Sequence, residues 1–297
     1  TKRDFEGLSL AIEEDNIDFV AQSFVRRADD VSKVKKILAK ARREVNIIAK
    51  IEEMQGIQNI DEIIEAADAV MVARGDLGIQ TDFHDVPFVQ KSILHKCIKA
   101  SKPAITATQM LESMIKNTTP TRAEVTDVAN AILDGTDAVM LSGETAIGAH
   151  PLRAVKVMSE VAQATDQHVC IRKIEEHYTR QQVISQAVYH AAKQINAAVI
   201  ITATTSGSTA RAVASFRPHA PILAVMHKKT GLNKLSLIWG VFPYAISEPA
   251  NTDELMHSSK EAAKKMGFVK KGDYAIITAG VPLNVTGTTN LMEIEKI

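Results

Sequence analysis

Short apolar runs alternate with longer amphipathic stretches along the first half of the chain. Runs of this length are typical of buried parallel strands, and we predict strands at residues 17–23, 47–51, 69–73, 104–107 and 138–141. Between them, apolar residues three or four positions apart predict helices at 30–43, 88–99 and 123–133. Thr121 and Glu124 have the spacing of a capping box before the last of these helices. Strand followed by helix, repeated in this way, predicts a parallel α/β sheet.

The second half of the chain has the same texture, and we predict a second α/β unit from about Gln181 onward. Its strands are predicted at 197–203, 222–226, 241–246 and 274–279, and the alternating run 290–297 predicts an edge strand with one solvated face. Before this unit, a helix is predicted over 151–171, and the highly charged segment 172–180 is typical of a solvated helix face or linker. We therefore expect two domains, 1–171 and 172–297.

Composition excludes several classes of function. The chain has 297 residues, with 35 Lys and Arg against 35 Asp and Glu, so a polybasic surface for nucleic acid or membrane is not expected. Aromatic residues make up 4% of the chain, which also disfavours base stacking. No apolar run is long enough to span a membrane. Cys97 and Cys170 form no disulfide framework, so we expect the reducing cytoplasm.

Polar residues follow the apolar part of four predicted strands. These are Lys50-Ile51-Glu52, Arg74-Gly75-Asp76, Thr108-Gln109 and Ser142-Gly143-Glu144. One such group would only mark the place where a strand leaves the core. In a (β/α)8 barrel, however, the carboxyl ends of the strands form the active face, and four groups in register favour a functional site.

The charges at these strand ends suit a divalent cation. Lys50 and Glu52 are two residues apart, so on a strand both point to one face. A local salt bridge would explain that pair alone. Asp76, at the end of the next strand, adds a second carboxylate after Gly75, which allows close approach of the backbone to a ligand. Mg²⁺ takes one or two protein carboxylates and completes its shell with water and substrate oxygens.

A loop in the second unit has the composition of a phosphate site. The predicted strand 197–203 continues into Thr204-Thr205-Ser206-Gly207-Ser208-Thr209 and then into a helix. Hydroxyls, a glycine and a helix N-terminus together suit a phosphate group. The pattern is neither a Walker A motif nor a Rossmann fingerprint, so an ordinary Ser/Thr helix cap remains an equal alternative on the residues alone.

Six segments resemble motifs of the pyruvate kinase family in order and spacing, and the resemblance covers essentially the whole chain. They are residues 49–52, 71–78, 107–114, 120–124, 127–131 and 140–146. The resemblance implies that 1–171 is the carboxyl-terminal portion of a (β/α)8 catalytic barrel and that 172–297 is the family's α/β effector-binding domain. It also implies transfer of a phosphoryl group from phosphoenolpyruvate to ADP, giving pyruvate and ATP in glycolysis.

The resemblance also implies roles for single residues. Glu52 and Asp76 would hold Mg²⁺ (or Mn²⁺), and Lys50 would neutralise charge on the phosphoryl group during transfer. Thr108 would lie at the substrate carboxylate and take part in protonating the enolate. Since a threonine hydroxyl is too weak an acid to do this alone, a relay through water is expected. Ser23 would lie near the site of a monovalent cation, K⁺.

The segment after the third strand would bind substrate. Here the resemblance implies Ala73, Arg74, Gly75 and Asp76 beside Thr108, with main-chain N–H groups around Gly75 and Asp76 on the substrate carboxylate. In the second unit, the loop 204–209 would bind the phosphate of an allosteric sugar phosphate or nucleotide, facing the loop 280–286. That second loop has no Lys or Arg, so the identity of the effector stays open. The family implies a cytoplasmic homotetramer.

The sequence departs from the family pattern in two places. After Gly78 the family usually carries a Glu-x-Pro-x-Glu-like turn, whereas residues 80–85 read Gln-Thr-Asp-Phe-His-Asp, and we expect His84 to be a surface loop residue. In the family, three barrel strands and a lid domain also precede the first strand predicted here. They supply a phosphate-binding arginine, most K⁺ ligands and much of the nucleotide site, so we expect a fragment with little or no activity alone.

Two other functions remain open at this stage. A Mg²⁺-dependent lyase or aldolase barrel would also hold an enolate near a glutamate and an aspartate, although the second domain and the Thr108 motif disfavour it. Alternatively, the chain is a sugar-phosphate-binding or assembly module without catalysis. Formation of pyruvate from phosphoenolpyruvate and ADP, as opposed to retro-aldol activity, distinguishes a kinase from the lyase or aldolase. Titration with sugar phosphates and nucleotides tests the second alternative.

Overall fold

A computed structural model describes residues 2–14, 16–169, 179–228, 231–280 and 289–297 of the chain. The chain forms two compact units, Thr1–Cys170 and Ile171–Ile297. The predicted domain boundary, Cys170 and most of the charged segment 172–180 lie outside the described residues. Each unit has an α/β sheet of its own.

The first unit is built on a five-stranded sheet whose strands are all parallel and follow one another in chain order. The strands are β1 (Phe19–Gln22), β2 (Asn46–Ile51), β3 (Ala69–Ala73), β4 (Ala104–Ala107) and β5 (Ala138–Met140). The predicted parallel α/β sheet is therefore confirmed. The first and last strands are shorter than predicted, and both lie at the edges of the sheet.

Helices connect these strands. They are α1 (Lys2–Glu13), α2 (Ala28–Lys40), α3 (Met54–Gln58), α4 (Ile60–Ala66), α5 (Arg74–Gln80), α6 (Val86–Lys99), α7 (Arg122–Leu133), α8 (Gly143–Ala146) and α9 (Pro151–Asp166), with a 3₁₀ helix at Glu112–Ile115. The hydrophobic pattern misses α1, whose buried residues are Leu8 and Ala11. The prediction that the last helix reaches residue 171 is wrong. It ends at Asp166, where the His168 N–H bonds to the Thr165 carbonyl in a tighter turn.

Three helices of the first unit pack on one face of its sheet. Leu38 of α2, Ile63 of α4 and Leu94 of α6 form one cluster with Ile47 of β2 and Val70 of β3. In doubly wound sheets, by contrast, helices cover both faces and the strand order reverses. Strands in chain order with helices on one face are typical of a (β/α) barrel.

Helix α7 begins at the predicted capping box. The Thr121 hydroxyl accepts from the Glu124 N–H at 3.2 Å, and the Glu124 carboxylate accepts from the Thr121 N–H at 2.7 Å. The same carboxylate accepts from the Ser113 N–H and hydroxyl at 2.7 and 2.6 Å. Burial opposes ionisation of Glu124, but these bonds from Ser113 and Thr121 outweigh it and hold its pKa below the ordinary value. Helix α7 is thereby tied to the loop that follows β4.

The second unit has a mixed sheet in the order β10-β9-β6-β7-β8. Its strands are β6 (Val199–Ala203), β7 (Ile222–Met226), β8 (Val241–Ala245), β9 (Tyr274–Gly280) and β10 (Thr289–Lys296), and its helices are α10 (Arg180–Gln194), α11 (Ser208–Ala214) and α12 (Thr252–Lys265), with a 3₁₀ helix at Asn233–Leu237. Strand β10 lies at one edge, as its alternating sequence predicts. It is antiparallel to β9, and the other pairs are parallel. Among the described residues, no helix is both long and apolar enough to cross a membrane.

Helices cover both faces of this second sheet. Val188 of α10 and Val213 of α11 pack on one face, and Met256 of α12 packs on the other. The strand order reverses between β6 and β9, which makes the carboxyl ends of these two strands a topological switch point. The loop 204–209 follows β6 at that point. Of the segment 280–286, which the resemblance predicts to face it, residues 281–286 lie outside the described residues.

Candidate active site

The carboxyl ends of neighbouring strands in the first sheet meet at one edge, because the strands are parallel and paired in register. Lys50 of β2 lies beside Met71 of β3, which lies beside Ile105 of β4. The site residues predicted in the first unit lie at or just after these ends, namely Ser23, Lys50, Glu52, Ala73, Arg74, Gly75, Asp76 and Thr108. The fold thus brings residues from four strand ends to one edge of the sheet.

Lys50 and Glu52 form an ion pair at this edge. The Lys50 Nζ lies 2.7 Å from Glu52 Oε1 and donates to the Ser23 hydroxyl at 2.8 Å. The Glu52 side chain is 1% exposed and that of Lys50 is 24% exposed. The salt bridge that the spacing allows is therefore present. It is buried on the carboxylate side and accessible on the ammonium side.

The backbone after β1 supplies a second partner to Glu52. The Phe24 N–H donates to Glu52 Oε2 at 2.6 Å. Phe24 has φ +53°, in the left-handed region that a bulky residue rarely adopts. Sequence reasoning missed this contact, because nothing in an aromatic residue after a strand indicates where its N–H points. The strained turn directs that donor at the buried carboxylate.

Left-handed backbone outside glycine falls into two groups among the described residues. One group lies just past helix ends, where this conformation is common, and contains Arg42, Ser101, Asn196 and Arg217. The other group follows strands of the first sheet and contains Phe24, Thr108 and Gln109. Strain that no helix end explains is concentrated at functional sites. The strained residues of the second group therefore support the carboxyl edge of the first sheet as the candidate site.

Thr108 and Gly75 bond to one another. The Gly75 N–H donates to Thr108 Oγ1 at 2.8 Å, and Thr108 Oγ1 donates to the Ala107 carbonyl at 2.6 Å. Both groups are predicted to meet a substrate carboxylate. A carboxylate bound between them would compete for both bonds, so these two groups mark a preformed polar position.

Arg74 turns its side chain away from solvent. The residue is 9% exposed, and its guanidinium bonds to the carbonyl of Thr108 and to the carboxylate of Asp127. Sequence reasoning treats Arg74 only as part of the substrate-binding segment. Asp127 was not singled out as a site residue, although it lies in a segment that resembles the family.

The carboxylates of Glu52 and Asp76 are suitable ligands for Mg²⁺. Asp76 is exposed in the first turn of α5, one strand away from Glu52. Both side chains offer hard oxygen donors, and Mg²⁺ typically completes such a pair of carboxylates with water and substrate oxygens. Glu52 and Asp76 carry one negative charge each and Lys50 carries one positive charge, so the three side chains have a formal net charge of about −1. This net charge favours binding of a cation.

The fourth polar strand end lies beside the third. Glu144, 2% exposed, accepts from the Leu111 N–H at 3.0 Å and from the Ser142 N–H at 2.7 Å. It therefore links the end of β5 to the loop after β4. This carboxylate stabilises the loops of the edge.

A separate group of possible ligands lies in the loop that departs from the family pattern. The ligand atoms of Asp82, His84 and Asp85 lie within 4.8 Å of one another, and all three residues are exposed. His84 is at the surface, as predicted.

The phosphate-site loop of the second unit divides into two kinds of residue. Thr204 and Thr209 are buried: Thr204 Oγ1 accepts from the Gly207 N–H at 2.9 Å, and Thr209 Oγ1 lies 2.7 Å from Thr289 Oγ1. Gly207 has φ +78°, and a Cβ there would lie 2.3 Å from Leu235 Cδ2. The remaining residues, Thr205, Ser206 and Ser208, are partly or fully exposed.

Comparison with known proteins finds similarity along the whole chain. The family model described as pyruvate kinase, barrel domain matches residues 1–155, and the one described as pyruvate kinase, alpha/beta domain matches residues 182–295. The pyruvate kinase of Geobacillus stearothermophilus is 47% identical over 304 residues, covering 100% of this chain and 52% of that protein. That of Clostridium acetobutylicum is 44% identical, covering 100% and 64%. The chain thus spans about half the length of most of the curated relatives it matches.

We expect Lys50→Met to lower the free energy of unfolding of the first unit by about 3 kcal/mol, because it leaves the buried Glu52 carboxylate without its cation. Adding Glu52→Gln should recover most of that loss, because the amide oxygen still accepts from Phe24 and no charge is buried. Urea unfolding followed by hydrogen exchange of peptides from β2 measures both variants.

The matched control for this prediction is Arg26→Met. It removes an ion pair of similar length, Arg26 Nε to Glu53 at 2.7 Å, in which the arginine side chain is 52% exposed. Its loss should change the free energy of unfolding much less than Lys50→Met does, because solvent screens an exposed pair. Equal losses for Lys50→Met and Arg26→Met would mean that the Lys50–Glu52 pair is not held in a buried environment.

Proposed function

The chain belongs to the pyruvate kinase family, and on that premise we propose that its first unit takes part in phosphoryl transfer from phosphoenolpyruvate to ADP. The observation that carries the proposal is the convergence of Lys50, Glu52, Asp76 and Thr108 at one edge of a barrel-type sheet. Transfer of this kind depends on positioning and on neutralising charge rather than on covalent help from the protein. The edge supplies groups for both tasks.

Lys50 is proposed to bind the phosphoryl group. An ammonium has three N–H donors, and two of them are used, on Ser23 and Glu52. The third can reach a ligand on the accessible side. Because Glu52 and Ser23 fix the ammonium, its charge is in place before substrate arrives, which lowers the cost of reorganisation during transfer.

Glu52 and Asp76 are proposed to hold Mg²⁺ or Mn²⁺. When bound, the ion would neutralise charge on the enolate and phosphoryl oxygens. Glu52 keeps lone pairs for it, since each of its oxygens accepts a single bond, from Lys50 or from Phe24. K⁺ is proposed to bind near Ser23. Because the Ser23 hydroxyl already accepts a hydrogen bond from Lys50, oxygens of other residues would complete the ligand shell of K⁺.

Thr108 is proposed at the carboxylate of the substrate, with the backbone of Ala73, Arg74, Gly75 and Asp76. The Thr108 hydroxyl would pass a proton to the enolate through water, and its present donation to the Ala107 carbonyl keeps it oriented. The same hydroxyl accepts from Gly75. A substrate carboxylate bound there would be held by a hydroxyl and a main-chain N–H from neighbouring strands.

The second unit is proposed to bind an allosteric sugar phosphate or nucleotide. The loop 204–209 follows β6 at the switch point of a doubly wound sheet, where ligands of such sheets usually bind. Thr204 and Thr209 would shape the loop from inside, while Thr205, Ser206 and Ser208 would contact the phosphate. A glycolytic, cytoplasmic homotetramer that includes both units belongs to the same proposal.

We expect Glu52→Gln and Asp76→Asn each to weaken Mn²⁺ binding at least about tenfold, because each removes one of two carboxylate ligands. Electron paramagnetic resonance of free Mn²⁺ measures the affinity of the chain. Glu53→Gln, one residue away, and Asp85→Asn, in the exposed ligand group, are matched controls that should leave it unchanged. Weaker binding in Asp85→Asn alone would place the metal in the wrong loop for this proposal.

The same variants test the proton chemistry. In D₂O with Mg²⁺, exchange of the pyruvate methyl protons reports enolate formation and needs no nucleotide. We expect exchange to fall at least about tenfold in Glu52→Gln, because the enolate loses its counter-charge, and to be unchanged in Glu53→Gln. Formation of pyruvate and ATP from phosphoenolpyruvate and ADP separates a kinase from an aldolase. Retro-aldol cleavage in place of ATP formation would reject the proposal.

For the second unit, replacing Thr205, Ser206 and Ser208 together by alanine should weaken binding of ribose 5-phosphate or AMP at least about tenfold, through loss of up to three hydrogen bonds. Calorimetric titration measures the affinity. Ser215→Ala is the matched control. It removes a hydroxyl at the carboxyl end of α11, which donates to the Ala212 carbonyl. If the triple variant binds the ligand as tightly as the wild type does, the ligand binds elsewhere.

A further inference from the structure

The turn that follows β4 is strained at two successive residues. Thr108 has φ +71° and Gln109 has φ +54°, and neither is a glycine. Left-handed backbone costs such residues about 1–2 kcal/mol each, and a β-branched residue such as threonine adopts it rarely. Conformations of this kind persist only where the surrounding structure determines them. Some other group must therefore hold this turn.

The guanidinium of Arg74 holds it. Arg74 Nη2 and Nε both donate to the Thr108 carbonyl, at 2.8 and 3.3 Å. Nη2 also lies 3.3 Å from the Gln109 carbonyl and 2.8 Å from the sulfur of Met110. Arg74 is 9% exposed and Met110 is fully buried. One planar group thus contacts three consecutive residues of the turn.

Asp127 fixes the guanidinium from the other side. Arg74 Nη1 lies 2.7 Å from Asp127 Oδ1, on helix α7. A buried cation is costly unless it is paired and hydrogen-bonded, and Asp127 supplies the charge. Helix α7 is itself tied to the loop after β4 by the Glu124–Ser113 bonds. The turn is therefore held between the end of β3 and α7.

The residue after Arg74 contacts the same threonine. The Gly75 N–H donates to Thr108 Oγ1 at 2.8 Å. Arg74 thus holds the backbone of Thr108 while Gly75 holds its hydroxyl, and Asp76 follows directly. The end of β3, which carries a proposed metal ligand, and the end of β4, which carries the proposed proton donor, form one connected unit.

We infer that the Arg74 side chain is a positioning residue, which holds the Thr108–Gln109 turn so that the Thr108 hydroxyl meets the Gly75 N–H, and that it does not contact substrate. Arginine suits this task because its rigid fork reaches two carbonyls and a carboxylate at once, which the point charge of lysine cannot do. The inference rests on the proposed function only for its catalytic consequence, since the clamp itself is a matter of structure.

The clamp is tested without activity by hydrogen exchange of the Gly75 amide in the full chain, resolved by NMR. We expect Arg74→Met to speed this exchange about tenfold or more, because the turn relaxes and the bond to Thr108 is lost. Arg74→Lys should behave like Arg74→Met. Asp127→Asn, which keeps an oxygen acceptor, should give a smaller increase and serves if Arg74→Met does not fold. Wild-type protection of Gly75 in all three variants would overturn the inference.

The catalytic consequence is tested by pyruvate methyl exchange in D₂O with Mg²⁺. Arg74→Met should lower the rate at saturating pyruvate about tenfold to a hundredfold, because Thr108 is displaced. The half-saturating pyruvate concentration should change less than about threefold, since the Arg74 side chain touches no substrate. A raised half-saturating concentration with an unchanged maximal rate would instead assign Arg74 to substrate binding. Loss of Gly75 protection in Arg74→Met with a wild-type rate of methyl exchange would support the clamp and reject the proposed role of Thr108.

Discussion

Burial of the Glu52 carboxylate at the end of β2 is the constraint on which the site depends. A carboxylate that is 1% exposed is tolerable only with a charged partner and hydrogen bonds to both oxygens. Lys50 supplies the charge at 2.7 Å and the Phe24 N–H supplies the second bond at 2.6 Å. Each requirement fixes a neighbour, since Lys50 is held beside Ser23 and the chain after β1 must adopt left-handed backbone at Phe24. The position of the ammonium is therefore a consequence of where the carboxylate is buried.

The ends of β3 and β4 repeat this logic with the charges reversed. The guanidinium of Arg74 is buried, so it requires the Asp127 carboxylate and the carbonyls of the turn after β4. Those bonds hold Thr108 in a conformation that is locally unfavourable. In both places a buried charge offsets backbone strain and fixes a functional group at the carboxyl edge. Buried ion pairs contribute little net stability in general, so their value here lies in the positions that they impose.

The sequence is most informative where burial is complete. The predicted strands 69–73, 104–107 and 222–226 agree with the structure at both ends, because runs with at most one polar residue are typical of strands buried on both faces. Helix α1, with few buried residues, leaves a weak pattern. Spacing alone predicted the Lys50–Glu52 pair, and the polar strand ends placed Thr108 at the same edge, whereas the role of Thr108 came only from resemblance to a family. The left-handed turns and the inward direction of Arg74 could not be predicted, because both are set by partners distant in sequence. The loop 204–209 likewise offered six equivalent residues, and only packing separates Thr204 and Thr209 from the accessible hydroxyls.

The central claim is that the carboxylates at the ends of β2 and β3 hold one divalent ion beside the ammonium of Lys50. Anomalous diffraction from crystals of the chain soaked in Mn²⁺ tests it most directly. We expect a peak within about 2.5 Å of a carboxylate oxygen of both Glu52 and Asp76. A peak at Asp82, His84 and Asp85, with none between Glu52 and Asp76, would contradict it.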